Sequence, residues 1–313
     1  MEKTSKIYVA GHTGLVGSAI LRKLNERKYK NILTFTHKEL DLTDKKETET
    51  MFRLFKPEYI FMAAAKVGGI YSNNSQSGEF IYDNLVMETN VIEAARKFET
   101  KKLLFLGSSC IYPKECPQPI KEEYILSAPL ETTNSAYAMS KLAGIEMCKA
   151  YNKQYGCNFI SIMPCNLYGP GDNFNLMGSH VLPAMVRKFH DAKIFGLKSL
   201  SLWGDGTPKR EFLHVDDLVE ALLLLMEEYD DPMHINVGSG EDISIEFLAN
   251  IIANIIDYKG EIIWNTKYPN GTMRKLLDTT RINILGWYPK IPLKQGIKET
   301  YQWFLKNYDT LKK

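Results

Sequence analysis

The sequence has no Cys-x-x-Cys pair, no long apolar run and no surplus of one charge. Each absence removes a class of protein. The five cysteines (Cys110, Cys116, Cys148, Cys157 and Cys165) are odd in number and dispersed. That argues against a disulfide framework and a thiolate zinc site, and a reducing cytoplasm is the expected compartment. Ala221 to Met226, the longest aliphatic run in the second half, falls far short of the ~20 residues that span a bilayer. No signal-peptide core is read ahead of the first strand pattern, so no membrane partner is expected. Lys plus Arg number 39 against 37 Asp plus Glu. That balance gives no reason to invoke nucleic acid, yet it is compatible with a local basic pocket for one small anion. Gly and Pro are too few for a collagen-like or disordered chain. With 313 residues the chain has room for about two domains and a large core.

What is present reads first as alternating strand and helix. Strand patterns fall at Lys6–Ala10, Asn31–Phe35, Glu58–Ala65, Lys102–Ser108 and Asn158–Pro164. Helix patterns fall at Leu15–Leu24, Phe80–Phe98 and Tyr137–Tyr155, with apolar residues at helical spacing. The strands are apolar without alternation, as in a parallel sheet covered on both faces. The expectation is an α/β fold, a Rossmann-type doubly wound parallel sheet over residues 1–170. Asn166 to Gly171 reads as a loop by composition. Beyond it the rhythm changes. Helices are expected at Met177–His190, with Pro183 near its start or at a kink, and at Val215–Glu228, capped by Asp216 or Asp217. A strand is expected at His234–Val237, then helices at Ser244–Ile256 and Gln295–Phe304. Gly196 to Phe212 is a Gly-, Pro- and charge-rich stretch, and Asn307 to Lys313 reads as a frayed polar tail. Residues 171–313 are therefore expected to form a smaller α/β substrate lobe, with return segments to the first domain around 212–240.

The sharpest local signal is Gly11-His12-Thr13-Gly14-Leu15-Val16-Gly17, between the first strand and the first helix. Glycines there let the backbone turn tightly against a pyrophosphate, and the helix N-terminus offers unpaired N–H groups to its charge. The blander reading is a tight packing turn. Cofactor choice is read after the second strand, where Phe35-Thr36-His37-Lys38-Glu39 puts a hydroxyl and two cations at the turn. That favours the 2′-phosphate of NADP(H), although Glu39 argues for NAD if the strand ends one or two residues later. Asp41 and Leu42 come next and border an adenine pocket, or else begin a helix cap.

Tyr137 and Lys141 stand at i and i+4 on one helix face. The cation favours phenolate and so eases proton transfer from the phenol. Spacing alone is cheap, since Tyr308 and Lys312 repeat it with no role assigned. Placement distinguishes Tyr137, because Ser108 ends the neighbouring strand and strand carboxyl ends form the ligand crevice of such sheets. Ser108 can then hydrogen-bond a substrate oxygen.

On these residues the chain resembles the extended short-chain dehydrogenases/reductases, and within them the GDP-L-fucose synthases. The matching stretches are Ala63 to Ile70, Leu106 to Pro113, Met163 to Pro170, Asp172-Asn173-Phe174, Ser179-His180-Val181 and Trp203 to Phe212, with Arg274 to Asp278 and Leu285-Gly286-Trp287 near the end. The resemblance implies NADPH-dependent 4-reduction with 3,5-epimerisation of a GDP-4-keto-6-deoxymannose, in a homodimer built from two long helices of each subunit. Cys110 and His180 would then be base and acid for epimerisation; Ser108, Tyr137 and Lys141 would serve the reduction. The physical reason holds, because a C4 ketone acidifies the C–H bonds at C3 and C5. Ala64, Pro164, Asn166 and Leu167 are implied at the cofactor. Asn166, His180, Val181, Lys188, Trp203, Arg210 and Lys275 are implied at the nucleotide sugar. Blander readings stand beside these: a cysteine is often a small buried hydrophobe, and His180 can cap the following helix.

Thr13 stands where bacterial members commonly carry arginine, so His37 and Lys38 would have to supply the charge. Motifs do not fix sugar size. A reductase of a GDP-4-keto-heptose, with epimerisation left to a separate enzyme, would look much the same. A non-catalytic nucleotide-binding protein is the alternative of another class, and intact Ser108, Tyr137 and Lys141 speak against it. A 4,6-dehydratase would carry an acidic residue beside Ser108, whereas Ser109 and Cys110 follow here.

Overall fold

A computed structural model describes residues 1–311 apart from Met177 and Pro269, with Ile70 described by its backbone alone. Lys312 and Lys313 lie outside the described residues. The first half alternates β1 (Lys6–Ala10), α1 (Leu15–Glu26), β2 (Asn31–Leu33), α2 (Lys45–Phe55), β3 (Tyr59–Met62), α3 (Ile70–Ser75), α4 (Ser77–Lys97), β4 (Lys102–Leu106), α5 (Ser135–Tyr155) and β5 (Phe159–Pro164). Then come β6 (Asn166–Tyr168), α6 (Val181–Ile194), β7 (Ser199–Trp203), β8 (Lys209–His214), α7 (Val215–Glu228), β9 (Ile235–Val237), β10 (Asp242–Ser244), α8 (Ile245–Ile256), β11 (Glu261–Asn265), β12 (Arg274–Lys275), α9 (Thr280–Ile284) and α10 (Leu293–Leu311).

Six strands form one parallel sheet in the order β2-β1-β3-β4-β5-β9. Ile7, Val9, Ile60, Phe61, Leu103, Phe105, Ile160 and Ile162 are fully buried in it. Both faces are covered, which is why these strands read as unbroken apolar runs. The chain leaves β1 toward β2 on one side and returns to β3 on the other. A ligand crevice opens at such a reversal, outside the strand carboxyl ends.

The second core gathers Leu182, Val186 and Phe189 of α6, Leu202 of β7, Phe212 of β8, Leu248 and Ile252 of α8, and Ile297 and Phe304 of α10. A small sheet runs β10-β8-β12, with β6 also on β8, and β7 pairs β11 in parallel. The chain returns to the first core through α7 and β9, which bury Leu218, Leu222, Leu225, Ile235 and Val237 there.

Several expectations need correction. Asn166 to Tyr168 is strand, because its backbone pairs with Phe212 to His214. The stretch from Gly196 to Phe212 holds β7 and most of β8. The helix expected from Met177 begins at Val181. Pro183 is its third residue, where the missing N–H would have no intrahelical partner, and no kink is needed. His214, not Asp216 or Asp217, caps α7 by accepting the Asp216 N–H at 3.2 Å. Asp216 pairs with Arg22, and Asp217 accepts the N–H of Lys290 and of Ile291. The tail is helical to Leu311, and Tyr308 donates to Asp191 at 2.6 Å. Among the described residues no helix is long and apolar enough to cross a membrane.

Candidate active site

The glycine loop closes the carboxyl end of β1. Gly11 has φ +80°, and a Cβ on it would collide with the backbone of Ala64. A Cβ at Gly17 would overlap the Gly11 carbonyl, so α1 can approach the loop only as it stands. Gly14 begins α1 with no side-chain cap. The first amides of α1 are thus unclaimed by side chains and face a cavity of about 760 Å³. Gly11, Thr13, Gly14, Leu15, Val16, Gly17, His37, Leu42, Ala64, Pro164, Asn166 and Leu167 all line it. His12, Lys38 and Asp41 do not. Asp41 instead accepts hydrogen bonds from the Thr43 backbone and hydroxyl, and Lys38 is exposed. Glu39 is turned back on Thr36, accepting its N–H and hydroxyl at 2.7 Å each, and it lies outside the cavity wall. The segment after Asp41 is a helix start: Asp44 caps α2 through the N–H groups of Lys46 and Glu47.

Ser108, Cys110, Tyr137, Lys141 and His180 meet at the inner end of this cavity. Ser108 accepts the Cys110 N–H at 3.2 Å and so tightens the turn after β4. Its hydroxyl lines the same cavity as the Tyr137 phenol. Burial pushes the Tyr137 phenol well above the usual tyrosine range; Cys110 and Glu88 add to this, and Ser108 opposes it. Lys141 is almost wholly buried, 3.0 Å from the equally buried Glu88 and 5.8 Å from the Tyr137 ring centre. Burial raises the Glu88 carboxyl, and Lys141 pulls it back.

A second cavity of about 330 Å³ shares the walls of the first at Ser108, Cys110, Tyr137, Asn166 and His180. Val181, Lys188, Trp203, Arg210 and Lys275 line its far side, so every residue implied at the nucleotide sugar faces it. The small sheet explains part of this. Lys275 lies in register with Arg210 across β12 and β8, which sets two cations side by side. Burial pulls the Arg210 guanidinium below its usual range, while Cys110 and Glu131 draw it back. Burial likewise lowers Lys188, whose ammonium lies 5.3 Å from the Trp203 ring centre. Trp203 in turn stacks on Tyr268 at 4.4 Å, nearly parallel. His180 precedes α6 yet makes no side-chain cap bond, which leaves its imidazole to the cavities. Its exposed area opens on that enclosed space, and desolvation there lowers its pKa below the usual histidine range.

A family model described as the NAD dependent epimerase/dehydratase family matches residues 7–238. The chain belongs to that family. Members of the epimerase/dehydratase family resemble it along its full length. GDP-L-fucose synthase 1 of Arabidopsis thaliana is 51% identical over 98% of this chain and 95% of that protein. The solved GDP-L-fucose synthetase of Naegleria fowleri bound to NADP superposes with a TM-score of 0.93 at 30% identity, over all of this chain and 98% of the other. The NADP-bound GDP-mannoheptose C4 reductase of Campylobacter jejuni superposes with a TM-score of 0.90 at 38% identity, over 97% and 99%.

Three residues of the epimerase/dehydratase site escaped sequence reasoning. Asn134 donates to the Cys110 sulfur at 3.3 Å, Glu88 pairs with Lys141, and Glu131 lines the second cavity. The available signal was faint: an asparagine before a helix, and one acid on the buried face of α4.

Proposed function

We propose that this enzyme converts GDP-4-keto-6-deoxy-D-mannose to GDP-L-fucose, by epimerisation at C3 and C5 and NADPH-dependent reduction at C4. One observation carries the reading. Cys110 and His180 stand with Ser108 and Tyr137 where a glycine-loop cavity meets a cation-lined one. A plain ketoreductase needs Ser108, Tyr137 and Lys141 but neither Cys110 nor His180.

The first cavity suits a dinucleotide, because the Gly11 to Gly17 backbone and the start of α1 leave N–H groups for a pyrophosphate. His37 and Thr13 would hold its 2′-phosphate, and Lys141 and Tyr137 would stand beside the nicotinamide. NADPH bound there supplies the hydride. Arg210, Lys275 and Lys188 hold the diphosphate of the sugar nucleotide, and Trp203 walls the base. The Cys110 thiolate removes the C5 or C3 proton, the C4 oxygen takes up the enolate charge, and the His180 imidazolium, made a stronger acid by its desolvation, returns a proton to the opposite face. Ser108 steadies that same oxygen by hydrogen bonding. Tyr137 then protonates the alkoxide formed at C4. Its phenol is well suited, since burial keeps it protonated at neutral pH. Lys141 stabilises the tyrosinate left behind.

A second reading is favoured by the similarity to the Campylobacter C4 reductase. It is reduction of a GDP-4-keto-heptose, with epimerisation by another enzyme. One NMR experiment in deuterated water separates the two. GDP-4-keto-6-deoxymannose and NADPH are supplied, and deuterium at C3 and C5 is followed with NADPH loss. GDP-L-fucose labelled at both carbons is the expected product; a reduced, unlabelled sugar would establish the second reading. NADPH that is never oxidised would leave only a nucleotide-binding protein. A homodimer through α4 and α5, where Tyr82 and Met139 are exposed, and a cytoplasmic location consistent with five free cysteines, belong to the same proposal.

A further inference from the structure

We propose that Asn134 is a positioning residue for Cys110, its side-chain amide holding the sulfur by a hydrogen bond that favours the thiolate. The proposal rests on Cys110 as the epimerisation base. Asparagine before a helix normally turns its side-chain oxygen onto the second or third amide. Asn134 stands before α5 and makes no such bond. Its Nδ2 instead donates to the Cys110 sulfur at 3.3 Å. Asn134 ends a 3-10 turn, Thr132–Asn134, that runs straight into α5, so its amide is free to face the cavity it shares with Ser108, Tyr137 and His180.

The backbone around Asn134 is held independently. Glu131 pairs with Lys114 at 3.1 Å, and the Asn134 N–H bonds the Glu131 carbonyl at 3.3 Å. The Cys110 N–H is held by Ser108 at 3.2 Å. The sulfur is therefore fixed from two sides, by its own backbone and by the Asn134 amide. Charged and titratable groups also face it: Tyr137 from α5, Arg210 from β8 and His180 ahead of α6 across the shared cavity, with Glu131 acting on Arg210. Arg210 is engaged by the diphosphate once substrate is bound. The neutral amide keeps its bond to sulfur whatever that charge becomes. A thiolate can only accept, so losing the donor disfavours it relative to the thiol.

The test uses the full chain with NADP+ bound. Iodoacetamide labelling of Cys110 is followed by mass spectrometry between about pH 5.5 and 9.5 in wild type, Asn134→Ala and Asn134→Asp. Aspartate has nearly the shape of asparagine, so the second variant keeps the packing before α5 while replacing a donor with an acceptor. Both variants should shift the labelling profile upward by about one pH unit, the aspartate further. Deuterium wash-in at C3 and C5 should fall about 10- to 100-fold in kcat with KM little changed. Reduction of a ketone already epimerised should fall far less than wash-in, so that the two rates part. Wild-type labelling profiles in both variants overturn the proposal. Cys110→Ser is run alongside. Wash-in that survives in it overturns the base assignment, whereas wash-in lost there but intact in both Asn134 variants overturns the positioning role alone.

Discussion

At the residue scale, the proposed function divides the work of the site between two proton transfers, and single substitutions should part them. Tyr137→Phe removes only the phenolic proton donor. It should lower C4 reduction by about 100- to 10,000-fold while deuterium still washes into C3 and C5. Wild-type NADPH oxidation in the variant would remove Tyr137 as the acid. Arg210→Ala takes away one charge-assisted hydrogen-bond donor of a half-buried cationic wall. GDP affinity by calorimetry should weaken by about 1.5–3 kcal/mol, and affinity equal to wild type would place the diphosphate elsewhere. Ser108 and Tyr137 stood out by spacing and placement, and Cys110 through the family resemblance of its stretch; all three line one cavity. Asn134 and Glu88 did not stand out, because what marks them is contact with Cys110 and Lys141, which folding brings from distant parts of the chain.

At the element scale, legibility followed burial. Val215 to Glu228 has buried apolar residues all along one face, and the expected and observed helix limits coincide. By contrast α2 buries only Thr48, Met51 and Phe52 and carried no clear signal. Strands β7 and β11 are half exposed and, among the described residues, pair only with each other, so neither shows a strong period. Strand β8 shows how a buried acid organises elements that no local pattern could join. Glu211 is fully buried and accepts the N–H of Gly240 at 2.8 Å and of Leu277 at 3.0 Å. It thereby ties β8, with Arg210, to the segments after β9 and β12. Burial raises its pKa from the usual 4.5 to about 7. The folded state holds this proton more tightly than the unfolded chain. Its contribution is therefore complete below about pH 4.5 and is lost as pH rises through about 7, with a total near 3 kcal/mol. Denaturant titrations at several pH values should show Glu211→Gln with a flatter stability profile than wild type between those limits. Parallel profiles would mean that Glu211 titrates normally.

At the scale of the whole molecule, the question is why the chain leaves the first domain and comes back. The order β2-β1-β3-β4-β5-β9 puts the last strand of the main sheet beyond the substrate-side excursion, and α7 precedes it. Strand β9 pairs with β5 at Ile162 to Pro164. Helix α7 packs on α1, where Arg22 pairs with Asp216 and Arg27 with Glu220. Val215, Leu218, Val219, Leu222, Leu225, Met226, Ile235 and Val237 of these two elements are at most 2% exposed. Fully burying such side chains stabilises by about 1.5–3 kcal/mol each. Even discounted for a compact unfolded state, their sum rivals the ~5–15 kcal/mol that holds an entire domain together. The nucleotide-binding sheet should therefore not survive alone. A fragment of residues 1–170 contains the glycine loop, Tyr137 and Lys141, yet it leaves β5 as an open edge and the α1 face uncovered. We expect it to melt without a cooperative transition, bind a hydrophobic dye and fail to bind NADPH, whereas a fragment of residues 1–240 regains the missing face. A cooperative melt and NADPH binding by residues 1–170 would show that the returning segment is dispensable to the first core. The cleft would then owe its form to docking of two separable lobes rather than to one interlaced chain.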